Sequence, residues 1–256
     1  TLNRIGATLN TPSNLIITNL NLLAGTFTHT GLITMQSGGT ISVETGILTN
    51  PVGATTTYNV NYVGNGDVNT ANELPVSAAV LNNLTNLKVA PAIVTLSANA
   101  TVNGDLVLSE GSFDGANRTL TLRGDFVSNA TGIFTSGTVI FDGTSVIRGD
   151  SIPEFGNLIV NPTKSLAIDG TLQINVARDL TFNGTFNPNQ STVLLKNALS
   201  QNIAGSAAVD FYKLEIEKSS QNVTIQTSVS IRDVLNIKTA TTLNAGNQLL
   251  SLISGI

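Results

Sequence analysis

The sequence predicts an all-β chain folded as a right-handed parallel β-helix, a solenoid built from several degenerate repeats. Three observations predict it: short segments recur in a fixed order, apolar residues alternate with polar ones, and Thr, Asn and Gly dominate the rest. Asn86-Leu87-Lys88-Val89 recurs as Asn157-Leu158-Ile159-Val160 and as Lys213-Leu214-Glu215-Ile216. The apolar series Val102, Leu106, Leu108, Phe113, Leu120 and Leu122 recurs as Ile231, Leu235, Ile237, Leu243, Leu250 and Leu252. A repeated supersecondary unit buries its apolar face by stacking on its neighbours. An antiparallel β-sandwich is the alternative, because its strands are also short and alternating.

Taken in order, the strand signals run almost the whole length. Leu15-Ile16-Ile17, Thr101-Val102, Leu106-Val107-Leu108, Leu120-Thr121-Leu122, Val139-Ile140-Phe141 and Leu180-Thr181-Phe182 place apolar side chains on one face. Where a Thr, Asn or Ser stands between them, as Thr121 and Thr181 do, it turns outward. Asn103-Gly104-Asp105, Asp114-Gly115, Arg123-Gly124-Asp125, Asp142-Gly143, Asp169-Gly170 and Asn183-Gly184 separate the strands. Such doublets serve hairpins and solenoid corners alike. Coils of about 20–25 residues give on the order of ten coils. Residues 1–256 are expected to form one elongated domain with copies at about 1–49, 50–136, 137–190 and 191–256. Val76 to Leu84 has spacing compatible with a helical turn or two.

Composition narrows the function. The chain has 256 residues, 11% charged and 5% aromatic, with a net charge of −4. Nucleic acid needs a basic footprint, which is missing. No apolar run reaches the length of a membrane span, so membrane insertion is not expected. With no cysteine, disulfides and thiolate chemistry are excluded. The start at Thr1 suggests a mature or excerpted piece of a longer secreted protein.

Carboxylates come first among candidate catalysts. Asp67, Asp105, Asp114, Asp125, Asp142, Asp150 and Asp169 adjoin glycines, where Asp ordinarily bonds backbone N–H groups. His29 is the only histidine, so no histidine metal pair can form, and a solvent-facing strand position is expected. Arg123-Gly124-Asp125 and Arg148-Gly149-Asp150 spell a tripeptide that some integrins bind, yet Gly-Asp also follows Asn65 and Asn103. That makes it a corner motif. Asn83, Asn99 and Asn222 begin glycosylation triplets that matter only in a host with that chemistry. Regular outward threonine rows would suit an ice-binding face, an alternative kept open although the threonine spacing here is too irregular for that surface. No catalytic, cofactor-binding or metal-binding residue is expected, and the chain reads as a non-enzyme.

Tyr58-Asn59-Val60-Asn61-Tyr62, Asn72-Glu73-Leu74-Pro75, Leu81-Asn82-Asn83-Leu84-Thr85-Asn86-Leu87 and Thr101-Val102-Asn103-Gly104-Asp105-Leu106 occur in that order. Gly111-Ser112-Phe113-Asp114-Gly115 through Leu122 continues it. This order resembles repeat regions of very large surface proteins of Bacteroidetes, most clearly from Tyr58 to Leu252. The resemblance implies export by the type IX secretion system and an adhesin-like role at the cell surface, although the family's sorting domain is not in this chain. Asp150-Ser151-Ile152 is similar to the O-glycosylation acceptor pattern of those bacteria. The expectation is therefore a non-catalytic extracellular segment, an adhesin or rigid stalk, with a surface polysaccharide or other cell-surface polymer as partner. The alternatives are a filament subunit that self-associates head to tail, and a β-helix polysaccharide lyase or hydrolase.

Overall fold

The chain is a parallel β-solenoid of about 11 turns. The computed structural model describes residues 2–11, 13–53, 56–75, 78–197, 199–219, 221–238 and 241–253. Among these no helix is present. Val76 and Ser77 lie outside the described residues; from residue 78 the chain makes a turn and enters the strand Leu81–Lys88.

One coil shows how the sequence builds the rest. Leu106–Glu110 lies in the first sheet, Ser112–Asp114 in the second and Thr119–Leu122 in the third; Phe126–Ser128 then returns to the first. Within Thr119–Leu122 the leucines are buried and the threonines half-buried. That is the period-2 alternation of a strand with one face on a core. Neighbouring coils pair in parallel, as Leu106 with Phe126 and Leu120 with Val139. Parallel pairing rules out the antiparallel sandwich.

Four sheets result. An 11-stranded sheet forms one side and an 8-stranded sheet, from Ala100–Val102 to Thr242–Asn244, another. The third side is divided between a 4-stranded sheet ending at Ile133–Thr135 and a 6-stranded sheet whose edge is Glu154–Phe155. Val209–Glu217 shifts register between Phe211 and Lys213. It packs against Thr185–Asn187 as well as pairing with Thr192–Lys196, so one strand turns a corner.

Coil length varies. Paired positions are 18 residues apart at Leu15 and Ile33 and 26 apart at Val68 and Val94. The tetrapeptide repeats therefore fall on different sides: Asn86–Lys88 in the 11-stranded sheet, Asn157–Val160 in the 8-stranded and Lys213–Ile216 in the 6-stranded. They also face differently. Leu158 and Val160 point inward, whereas Asn86 and Lys88 are buried and Leu87 is exposed. A one-residue slip in a period-2 pattern reverses every side chain.

Glycine corners have a specific cause. Gly124 has no positive φ, which excludes it from the left-handed positions of tight hairpin turns. A Cβ there would lie 2.3 Å from the Gly104 carbonyl oxygen of the preceding coil. Glycine is needed because stacked backbones approach too closely for a side chain.

The core is one continuous apolar column. Phe113, Phe126, Phe134, Phe141 and Phe155 form an aromatic stack in its middle, with Phe155 5.3 Å from Phe126 and 5.6 Å from Phe134. Phe182, Phe186 and Phe211 form a second group. At the last described coil Leu235, Leu243 and Leu250 are only partly buried and Ile237 and Leu252 are exposed. Their counterparts Leu106, Leu108, Phe113, Leu120 and Leu122 have rungs on both sides and are buried.

Candidate functional site

Asp67, Asp105, Asp114, Asp125 and Asp150 accept from backbone N–H groups as expected, chiefly those of a neighbouring coil, whereas Asp142 is bound by the Arg123 and Asn161 side chains instead. Asn83 Oδ1 accepts from the Asp105 N–H at 2.8 Å, and Asp105 Oδ1 from the Asp125 N–H at 2.8 Å. Asp125 Oδ1 in turn accepts from the Val146 N–H at 2.9 Å. Successive side chains thus bond an N–H near the start of a strand in the next coil. Asp67 does the same for Ile93 at 2.9 Å. Asp179 caps Asn202 at 2.8 Å, and Asn99 caps Thr119 at 2.9 Å. Asp114 departs from this by accepting from the nearby Ala116 N–H at 2.9 Å and also from the Ser136 hydroxyl.

This ladder makes a direct prediction. Asp125→Ala removes the acceptor for Val146 and the partner of Arg148, 3.2 Å away. It should destabilise the fold by about 1–3 kcal/mol, with Asp125→Asn losing less because it keeps an acceptor. Thermal melts of the two variants against the parent check the order.

Both Arg-Gly-Asp corners are tied into this network. Arg123 donates to Asn103 Oδ1 at 2.6 Å and to Asp142 at 3.2 Å, and so bridges the coils on either side. The Asn161 amide, followed by Arg123 and Lys164, holds the Asp142 carboxyl below the ordinary carboxylate range, against a smaller opposing effect of burial. Arg148 is spent on Asp125 rather than on its own tripeptide. Asp150 accepts from the Ala130 N–H. Ser151 is buried and donates its hydroxyl to the Ala130 carbonyl.

His29 departs from its expected solvent-facing position. It is 5% exposed, with Nδ1 2.8 Å from the Gly31 carbonyl and Nε2 2.9 Å from the Asn50 carbonyl. A neutral imidazole can donate to only one of these oxygens. The ring packs 5.9 Å from Phe27. The Thr-His-Thr context resembles a surface strand, but His29 shares the inward parity of Phe27, set by a switch at Gly25 after Leu22 and Ala24.

Polar groups inside the solenoid were not legible in the sequence. Glu73 is buried, and its Oε1 accepts from the Tyr62 hydroxyl at 2.7 Å and the Ala71 N–H at 2.7 Å. The Tyr58 hydroxyl donates to the Glu73 carbonyl at 2.8 Å. Burial holds the Glu73 carboxyl above the usual range, although Tyr62 and backbone N–H groups pull the other way. Burial and the Glu73 charge raise both tyrosines. The alternation Tyr58-x-Val60-x-Tyr62 identifies the inward tyrosines; nothing local marks Glu73, which arrives from a loop.

Two buried lysines complete the interior. Lys88 donates to the Glu44 carbonyl, and Lys218 to Gln201 Oε1 at 2.6 Å. Gln201 donates to the Val176 and Arg178 carbonyls at 2.8 and 2.7 Å. Burial pushes both amines down, opposed by Glu44 and Asp67 at Lys88 and by Asp179 at Lys218.

The surface offers shallow depressions. One of about 480 Å³ is lined by Asp150, Ile152, Asp169 and Thr171, and one of about 270 Å³ by Asp67, Asn69, Ile93, Thr95 and Asp114. Among the described residues no cluster of three or more His, Asp or Glu side chains is placed to hold a metal. The arrangement is suited to many shallow polar contacts. The class of protein that fold and surface define is a parallel β-solenoid. No family, curated protein or solved structure matches the chain.

Proposed function

We propose that this chain is a non-catalytic segment of an extracellular surface protein, a stiff stalk whose sides also serve for adhesion. The observation that carries the reading is the unbroken stack of about 11 parallel turns, laced on its outside by side chains that bond the next coil. Such a stack spans about 50 Å at the rung spacing of parallel strands and resists bending through the hydrogen bonds between successive coils. Repeated outward Thr and Asn give weak contacts that add by avidity to a polymer surface. The ordered motifs similar to Bacteroidetes surface repeats support the same location.

A second reading is a filament subunit, in which strand edges of one copy template pairing with another.

Small-angle scattering of the purified chain over a concentration series separates the readings, run beside a polysaccharide-cleavage screen. A single rod of unchanged length without cleavage is the expected result. Growth into fibres would move the assignment to the filament. Cleavage lost in Asp114→Ala would overturn the non-catalytic assignment.

A further inference from the structure

We propose that the outer face of the 8-stranded sheet is a binding surface for an uncharged polysaccharide chain lying along the solenoid axis. The proposal rests on the stalk-and-adhesion reading and assigns it a side and a ligand class. Three observations carry it.

The first is register. Thr101, Thr121, Ile140, Ile159, Thr181 and Ala204 pair successively across six coils and form one outward column. Thr119, Thr138 and Asn157 form a second column beside it. Along the sequence these residues look irregular, because coil length varies; pairing brings them into line. No bulge interrupts this sheet, whereas register shifts break the 11-stranded and 6-stranded sheets.

The second is charge. The eight strands of this sheet contain no Asp, Glu, Lys or Arg. Charged side chains gather on the 6-stranded sheet, where Lys196 pairs with Glu154, Lys213 with Asp233, and Lys238 with Glu217. Charges stand at its margins, Arg123 paired with Asp142 at one and Arg178 and Asp179 at the other; the strand columns between them present no ion for a neutral polymer to desolvate.

The third is chemistry. Thr hydroxyls both donate and accept, as sugar hydroxyls do. Ile140 and Ile159 put an apolar plate at the centre of the column, suited to the C–H face of a sugar ring. Rungs about 4.8 Å apart approximate the rise of one sugar unit in an extended glycan, so contacts can repeat coil after coil.

The test is depletion of the purified chain from solution by insoluble cellulose, chitin and β-1,3-glucan, with pectate as the charged contrast, at low and high salt. Thr121→Glu and Ile159→Lys alter this face, and Asn236→Lys on the 6-stranded sheet is the control; scattering verifies the rod in every case. Expected are salt-insensitive binding to at least one neutral polymer, a loss of about tenfold or more in either face variant, and no change in the control. Four results would overturn the proposal: an intact rod that binds no neutral polymer, face variants that bind like the parent, salt-sensitive binding to pectate alone, or adsorption to ice without polysaccharide binding. Loss of the rod in the parent chain would instead remove the reading beneath it.

Discussion

Replacing Phe155 with alanine is expected to lower stability by about 3–5 kcal/mol, among the largest effects of any single change in this chain. The ring is fully buried and meets Phe126 at 5.3 Å, Phe134 at 5.6 Å and Phe141 at 6.5 Å. It sits beside the division between the 4-stranded and 6-stranded sheets, where Ile133–Thr135 and Glu154–Phe155 lie together without a ladder. Interlocked aromatic packing replaces hydrogen bonds at that point, so truncation leaves a cavity that the backbone cannot close. A stack of coils is held by nearest-neighbour contacts, and the lesion should also weaken communication between its halves. Urea unfolding followed by circular dichroism should show an earlier and broader transition. A loss below about 1 kcal/mol would mean the aromatic stack is not packed as described.

Glu73 should give the second large effect, with a sign that depends on the substitution. Glu73→Ala strands the Tyr62 hydroxyl and the Ala71 N–H without their acceptor, and about 2–5 kcal/mol should be lost. Glu73→Gln keeps an acceptor and removes the charge. Burial raises the folded-state pKa of Glu73 above that of the unfolded chain. The folded protein therefore holds this proton more tightly, and the associated stability is complete below the unfolded carboxylate pKa. It declines as pH rises through the folded value. Glu73→Gln should accordingly match the parent in acid, exceed it at neutral pH, and show a flatter stability profile between. Tyr58 and Tyr62, also raised chiefly by burial, add a second decline at alkaline pH that is smaller in Glu73→Gln, where the Glu73 charge is gone. Melting temperatures across about pH 4 to 9 test this; a parent more stable at neutral than at acid pH, with Glu73→Gln abolishing that gain, would reverse the assignment.

Much of the fold could be read from alternation. Leu120 and Leu122, Val139 and Phe141, and Leu158 and Val160 face inward as their spacing predicts. The parallel solenoid, with its coils of about twenty residues, follows from stacking those faces. Most corner aspartates were legible as backbone acceptors, Asp142 being held by side chains instead, but their partners were not, because Asp105 and Asp125 reach an N–H one coil away. Buried Glu73, Lys88, Gln201 and Lys218 carry no local signal, and His29 imitates a surface residue.

By itself the sequence determined that this protein is β throughout, which residues alternate, and where the chain must turn, since those properties depend on neighbours two or three positions apart. Only the tertiary structure decided which side each segment occupies and which distant residues share a column. Coils of unequal length make sequence distance a poor guide to stacking, and hydrogen-bond register alone brings Thr101, Thr121 and Ile140 into one line.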